Sequence, residues 1–221
     1  MRSTVTQIVV LTLVCLISSL ALALVNDLTK DRIDQQRRLA ELKAVKEALP
    51  KDDLQYNNDP SEDAVELETP DWVEKDGTLK KIYPGKKDGE VVGIAFKSVG
   101  GGYGGYITIM MGVDMKGEVK GIEILPGHQE TPGLGAKIET KGFKNQFRGK
   151  YQMGSPKQEL EVVKGKEGKL EHWEIAALTG ATVSPSGVVQ AVNKGLKMFQ
   201  QYEAKIKEKI LTEEKPKGGV K

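Results

Sequence analysis

An uninterrupted apolar run near the N-terminus is the feature that most restricts how this chain can fold. Residues 5–25 carry no charged side chain, and about 20 apolar residues are enough for a helix to cross a bilayer. The alternative is a cleaved signal peptide, because Ala21 and Ala23 form an A-x-A pattern after Arg2. The run is longer than the hydrophobic segment of a signal peptide, which has roughly 7–15 residues. The sequence therefore favours a retained, single transmembrane anchor over residues 1–26.

A predicted stalk and linker follow the anchor over residues 27–76. Residues 27–49 are rich in helix-forming residues, and Pro50 ends the pattern. The apolar side chains at helical spacing are Leu39, Leu42, Val45 and Leu49. We expect the membrane helix to continue into this stretch. Its narrow apolar stripe must be covered by another surface, either a partner protein or the chain's own domain. Residues 51–76 are acidic and broken by Asn, Asp and Pro, which predicts an irregular linker with few strands.

The pattern changes to strands in the next segment, a predicted domain over residues 77–211. Strands are expected at residues 81–84, 90–98, 106–113 and 118–125. The last two flank Asp114-Met115-Lys116-Gly117, a hairpin signal, and residues 185–210 have the apolar period of a long helix. The fold class is therefore α+β, with an antiparallel sheet and flanking helices. The charged tail at residues 212–221 is expected to be disordered.

The composition restricts the chemistry that the domain can perform. One Cys and two His cannot form an internal disulfide, a CxxC pair or an iron–sulfur cluster, and a zinc site would depend on carboxylates. Lys and Arg number 33 against 31 Asp and Glu, without the basic excess typical of nucleic-acid binding. We expect no metal site, and any redox chemistry would have to come from an organic cofactor.

Two glycine-containing segments are candidates for a binding site. GGGYGG at residues 100–105 allows positive φ angles and close approach of a ligand, although a wide turn between strands has the same composition. It is not a dinucleotide-binding fingerprint, because no strand–glycine loop–helix order follows. HQETPGLGAK at residues 128–137 follows a strand and combines an acid, a hydroxyl and a lysine, or is a surface turn.

A third segment, LTGATVSPS at residues 178–186, opens the long helix. Ser184 is a candidate N-cap and Pro185 suits the first helical turn, where exposed N–H groups favour a phosphate. Thr179 and Thr182 flank two small residues, so their hydroxyls are open to another enzyme. No base is evident to activate either threonine, which leaves a modified threonine or a helix cap as the alternatives.

A single N-terminal span, GGYGG, HxETPGLG and the GAT segment, in this order, resemble the G subunit of Rnf-type ion-translocating complexes. The resemblance covers essentially the whole chain and places it among FMN-binding domains of membrane electron-transport complexes. The related C subunit of the Na+-translocating NADH:quinone reductase is the alternative.

The resemblance implies that Thr182 carries one FMN through a phosphoester, attached by a separate flavin transferase that uses FAD as donor. The loop expected to lie against the flavin contains Glu130, Thr131, Gly133, Leu134, Gly135 and Lys137. The helix side of the cofactor site would comprise Thr179, Gly180, Ala181 and Ser184. Lys137 is expected to stabilise a reduced, anionic ring. One departure from the family pattern is Ala176, which stands where Asp is usual.

The resemblance also implies a role and a location. The chain would be a non-autonomous electron-carrying subunit, with other membrane and redox subunits as partners, in a complex coupling ferredoxin and NAD+ to Na+ or H+ movement. The resemblance implies that the domain is extracytoplasmic. The positive-inside rule alone would place it in the cytoplasm, because more Lys and Arg residues follow the span than precede it, where Arg2 is the one basic residue. The competing hypotheses are a flavin-free structural anchor and an extracytoplasmic ligand-binding module.

Overall fold

The computed structural model describes residues 2–67, 76–150, 159–165 and 170–213, and the chain divides into two compact units between Ala40 and Glu41. Helix α1 (Arg2–Ala48) begins in the first unit and ends in the second. Its continuity confirms that the apolar segment runs on into the predicted stalk. The helix is long and apolar enough to cross a membrane, as judged by length and composition.

The side chains of the apolar segment are exposed, as a lipid-facing helix requires. Leu20 and Leu22 are 65% and 71% exposed, an arrangement that is unfavourable in water and favourable in hydrocarbon. The Thr12 hydroxyl donates to the Ile8 carbonyl, so this polar group is satisfied within the helix. These properties fit a single-pass membrane protein.

The second unit contains an antiparallel sheet of five strands in sequential order, which confirms the predicted α+β fold class. The strands are β1 (Val65–Glu66), β2 (Lys81–Lys87), β3 (Glu90–Gly101), β4 (Tyr106–Asp114) and β5 (Val119–Ile124). β2 is longer than predicted, because the turn to β3 needs only Asp88 and Gly89. Both have positive φ, at 53° and 86°, as a tight hairpin turn requires.

The globular unit begins at Glu41, well before the predicted domain boundary at residue 77. The reason is that the end of α1 packs on the sheet through Ala44, Val45, Ala48 and Leu49, all buried. A Cβ on Gly112 of β4 would lie 2.1 Å from the Ala48 carbonyl oxygen, so glycine permits this approach. The apolar stripe of the stalk is thus covered by the chain's own domain from Ala44 onwards. The predicted linker also contains helix α2 (Lys51–Leu54) and strand β1.

Polar contacts fix the same end of α1. Glu41 accepts hydrogen bonds from the Tyr83 hydroxyl and from Lys97 Nζ, the latter at 2.7 Å. Burial alone would raise the pKa of Glu41, but the bonds from Lys97 and Tyr83 outweigh it, so the pKa is lowered.

Helix α4 (Val183–Glu213) packs against β3 and β4 and supplies much of the main core. It starts two residues before the predicted Pro185 and includes Glu213. Of the tail predicted to be disordered, Thr212 and Glu213 are therefore helical, and residues 214–221 lie outside the described residues. β3 and α4 approach closely where two glycines meet: a Cβ on Gly100 would lie 2.0 Å from the Gly187 carbonyl oxygen.

Short elements connect the sheet to α4. They are a 3₁₀ helix (Gly135–Glu139), α3 (Lys141–Lys144), a second 3₁₀ helix (Asn145–Phe147), and the parallel strands β6 (Glu161–Val163) and β7 (Glu174–Ala176). Phe143 and Phe147 pack edge to face in the core, with ring centroids 5.5 Å apart.

Candidate functional site

A cavity of about 290 Å³ brings the three candidate segments together. Eight of the predicted site residues line it, namely Glu130, Thr131, Leu134, Gly135, Gly180, Ala181, Thr182 and Ser184. Two lining residues, Tyr103 and Val183, were not predicted as site residues. The GGGYGG segment was a sequence signal that could have identified Tyr103. For Val183 the only signal was that it is next to Thr182 in the sequence.

The first wall of the cavity is the turn that leads into α4. The Ala181 N–H donates to the Leu178 carbonyl at 3.0 Å, and Gly180 between them has a φ of 83°. Such a turn favours glycine, because a side chain is strained at positive φ. The Thr182 carbonyl accepts from the Ser186 N–H at 3.0 Å, so Thr182 is the N-cap of α4. The Thr182 hydroxyl makes no hydrogen bond to any described residue.

Ser184 was predicted to be the N-cap, and this is wrong. α4 begins at Val183, which places Ser184 inside the first turn. Its hydroxyl is buried and donates to Glu130 Oε2 instead of capping the helix. The sequence pattern S-P suggested a cap, but a carboxylate 54 residues away in sequence provides a different partner.

The second wall is the loop around Gly133. The N–H groups of Leu134 and Ala136 donate to the Thr131 carbonyl at 3.2 and 3.1 Å, and Gly133 has a φ of 75°. These bonds fold the loop so that Leu134 reaches the first wall, where a Cβ on Gly180 would lie 3.2 Å from Leu134 Cδ2. Glycine is therefore favoured at position 133 because the turn requires a positive φ, and not because this residue contacts the cavity.

The third wall is the turn between β3 and β4. Glu130 Oε1 accepts from the N–H groups of Tyr103 and Gly104, at 2.8 and 3.2 Å. A Cβ on Gly102 would lie 2.2 Å from that oxygen, and a Cβ on Gly104 would lie 2.0 Å from the Gln129 carbonyl oxygen. The glycines thus allow this turn to approach the Glu130 loop closely. Tyr103 remains 76% exposed at the rim.

Three predicted site residues do not line the cavity. Thr179 and Lys137 are exposed, and Gly133 forms the turn already described. Ala176, noted above as a departure from the pattern that the resemblance implies, lies at the end of β7. Its N–H donates to Gln146 Oε1 at 2.7 Å, so this position is hydrogen-bonded to a neighbouring element.

Comparison with known proteins decides the family. Residues 102–197 match the model of the FMN-binding domain, and residues 3–48 match that of the RnfG N-terminal region. The G subunit of the Na(+)-translocating ferredoxin:NAD(+) oxidoreductase complex of Acetobacterium woodii is 35% identical over 194 residues, which cover 86% of this chain and 89% of that protein. The chain belongs to the G-subunit family of Rnf-type ion-translocating oxidoreductases.

A second relative, the G subunit of the ion-translocating oxidoreductase complex of Stutzerimonas stutzeri, is 32% identical over 86% of this chain and 78% of its own length. Two solved structures of quinone-reductase C subunits share the fold. Shewanella oneidensis NqrC is 22% identical with a TM-score of 0.50, covering 66% of this chain and 69% of its own. The corresponding protein from Parabacteroides distasonis is 21% identical with a TM-score of 0.53, covering 77% and 96%. The G-subunit prediction is confirmed, and the likeness to the quinone-reductase proteins is one of fold.

The residues of this G-subunit cavity fit FMN. The first-turn N–H groups of a long helix favour a phosphate, and the Thr182 hydroxyl lies at the same helix end. Tyr103, Leu134 and Val183 are 76%, 45% and 50% exposed around the cavity, which suits a planar aromatic ring. Polar groups for a phosphate and apolar groups for a ring thus line one cavity.

Proposed function

We propose that this chain relays electrons within a membrane ion-translocating oxidoreductase of the ferredoxin:NAD+ type, through FMN joined by a phosphoester to Thr182. The observation that carries the proposal is the position of the Thr182 hydroxyl. It lies on the cavity at the start of α4, beside Gly180 and Ala181, and is engaged by no described residue. Membership of the G-subunit family supports the electron-carrying role.

The attachment needs a separate enzyme. A threonine hydroxyl is a weak nucleophile without a base, and the described residues on the cavity include no histidine or lysine next to Thr182. A flavin transferase would supply the base and would use FAD, whose FMN phosphorus bonds to Thr182 Oγ while AMP leaves. Gly180, which has no side chain, and Ala181, which has only a methyl group, leave that hydroxyl accessible.

The chain's own residues bind and orient the group. The helix N-terminus would hold the phosphate end, and Tyr103 and Leu134, which line the same cavity, would contact the ring. Bound FMN supplies a ring that accepts and passes on electrons, while the protein provides orientation and electrostatics. Covalent attachment prevents loss of the cofactor where no FMN pool can replace it. The domain is therefore proposed to lie outside the cytoplasm, and the other subunits of the complex are its electron donor and acceptor.

Fluorescence of the denatured protein tests the attachment. The full-length chain is co-expressed with a flavin transferase, separated on a denaturing gel and scanned for flavin. Wild type and Thr179→Ala should fluoresce equally, because Thr179 does not line the cavity. Thr182→Ala should lose the signal.

A dark wild-type band would reject the covalent flavin and leave a flavin-free structural anchor as the function. A signal that persists in Thr182→Ala but disappears in Thr179→Ala would move the attachment to the other threonine.

A further inference from the structure

Glu130 is a buried carboxylate on the cavity wall, with 6% of its surface exposed. One oxygen, Oε1, accepts from the backbone N–H groups of Tyr103 and Gly104. The other, Oε2, accepts from the Ser184 hydroxyl. Two of these donors belong to the turn between β3 and β4 and the third to the first turn of α4, so a single side chain joins two walls of the cavity.

Two glycines pack directly against this carboxylate. A Cβ on Gly102 would lie 2.2 Å from Oε1, and a Cβ on Gly135 would lie 2.6 Å from Oε2. Both oxygens are already hydrogen-bonded within the protein. The sequence placed Glu130 among the cofactor-binding residues, but its contacts are those of a side chain that acts through its neighbours.

We propose that Glu130 is a positioning residue of the flavin site: it holds the Tyr103 turn against the start of α4, and its buried negative charge lowers the reduction potential of the flavin. The second half of this inference rests on the proposed function. Reduction adds negative charge to the ring, and a carboxylate in a partly desolvated wall opposes it more strongly than an exposed one. Three donors hold the carboxylate, so its position relative to the cavity is fixed.

The charge is tested with Glu130→Gln. A glutamine keeps the shape, since its amide oxygen can accept from Tyr103 and Gly104 and its NH₂ can donate to the Ser184 hydroxyl. The matched control is Glu66→Gln, the same chemical change on an exposed side chain of β1, which does not line the cavity. Both variants are made in the full-length chain and co-expressed with a flavin transferase. The reduction potential of the flavin is then measured by redox titration of the purified protein in detergent.

We expect a more positive potential in Glu130→Gln and the wild-type value in Glu66→Gln. Equal potentials in wild type and Glu130→Gln would overturn the electrostatic role, as would an equal shift in both variants. Denaturing gels of the same samples show whether flavin is attached, so a failure of attachment is distinguished from an absent shift.

The positioning role is tested without flavin, by hydrogen exchange of the full-length chain produced without a flavin transferase. Glu130→Ala removes the acceptor of two amides, so Tyr103 and Gly104 should exchange severalfold faster, while amides in the middle of β4 keep wild-type rates. Glu130→Gln should restore slow exchange at both positions.

Unchanged exchange of Tyr103 and Gly104 in Glu130→Ala would overturn the positioning role. If Glu130→Ala does not fold, Ser184→Ala replaces it, since this change removes the contact on the α4 side alone. The carboxylate is then held by fewer bonds, so Tyr103 and Gly104 should exchange faster, and wild-type rates at both amides would equally overturn the role.

Discussion

Lys137 lies on the loop next to the cavity, but its side chain is exposed and does not line it. A positive charge near the flavin would still favour the reduced, anionic ring. Because solvent screens exposed charges, we expect Lys137→Gln to lower the flavin's reduction potential by less than Glu130→Gln raises it. A redox titration of the flavin-loaded chain measures both shifts, and an unchanged potential in Lys137→Gln would remove the lysine from the account.

Individual residues differ in how well the sequence predicts them. Thr182 and the loop residues were predicted because their motifs are contiguous in sequence. Four of the loop residues line the cavity with Thr182, whereas Gly133 and Lys137 do not. Ser184 was assigned the wrong contact, because its partner Glu130 comes from a distant loop and no local pattern encodes that pair. Tyr103 was missed as a site residue although its segment GGGYGG was a candidate, because its place on the cavity depends on where the β3–β4 turn meets two other segments.

At the scale of elements, the contact between β3 and α4 positions the cavity. A Cβ on Gly187 of α4 would lie 2.4 Å from the Gly101 carbonyl oxygen, and backbone atoms cannot yield as a flexible side chain can. Gly187→Ala should therefore push α4 away from β3 and lower the free energy of unfolding by about 1–3 kcal/mol. Chemical unfolding of the full-length chain in detergent, followed by circular dichroism, measures this.

The matched control is Gly142→Ala in α3, where no atom lies within 4 Å of the added Cβ. Alanine is favoured over glycine in a helix by roughly 0.5–1 kcal/mol, so this variant should be as stable as wild type or slightly more stable. A similar decrease in the free energy of unfolding in both variants would contradict the claim that the close contact between β3 and α4 requires glycine.

The elements themselves were largely predictable. Runs of strand-forming residues bounded by turn signals predicted the four long strands, and the helical period of apolar residues predicted α4, because both patterns are local in the sequence. The boundary of the globular unit was not predictable. Val45 and Leu49 belonged to a predicted apolar stripe that a partner protein or the chain's own domain could cover. Only glycines in distant strands show which surface covers it.

For the whole molecule, the two units predict how truncations behave. Removing residues 1–40 deletes the apolar span and leaves the unit that begins at Glu41, so this fragment should be soluble and cooperatively folded. Removing residues 1–49 also deletes Val45 and Leu49, each worth about 1.5–3 kcal/mol of burial, and uncovers part of the sheet. The longer truncation should lose several kcal/mol of stability or fail to fold.

Thermal unfolding of the two fragments, without detergent, checks this. Equal stability would mean that the end of α1 contributes nothing to the domain, contrary to its burial.

The most direct test of the central claim is the mass of the peptide that contains Thr182. The full-length chain is co-expressed with a flavin transferase, digested and analysed by tandem mass spectrometry. We predict that this peptide gains the mass of FMN less one water, with the fragment ions placing the addition on Thr182 and not on Thr179. An unmodified Thr182 peptide from protein that received active transferase would contradict the account.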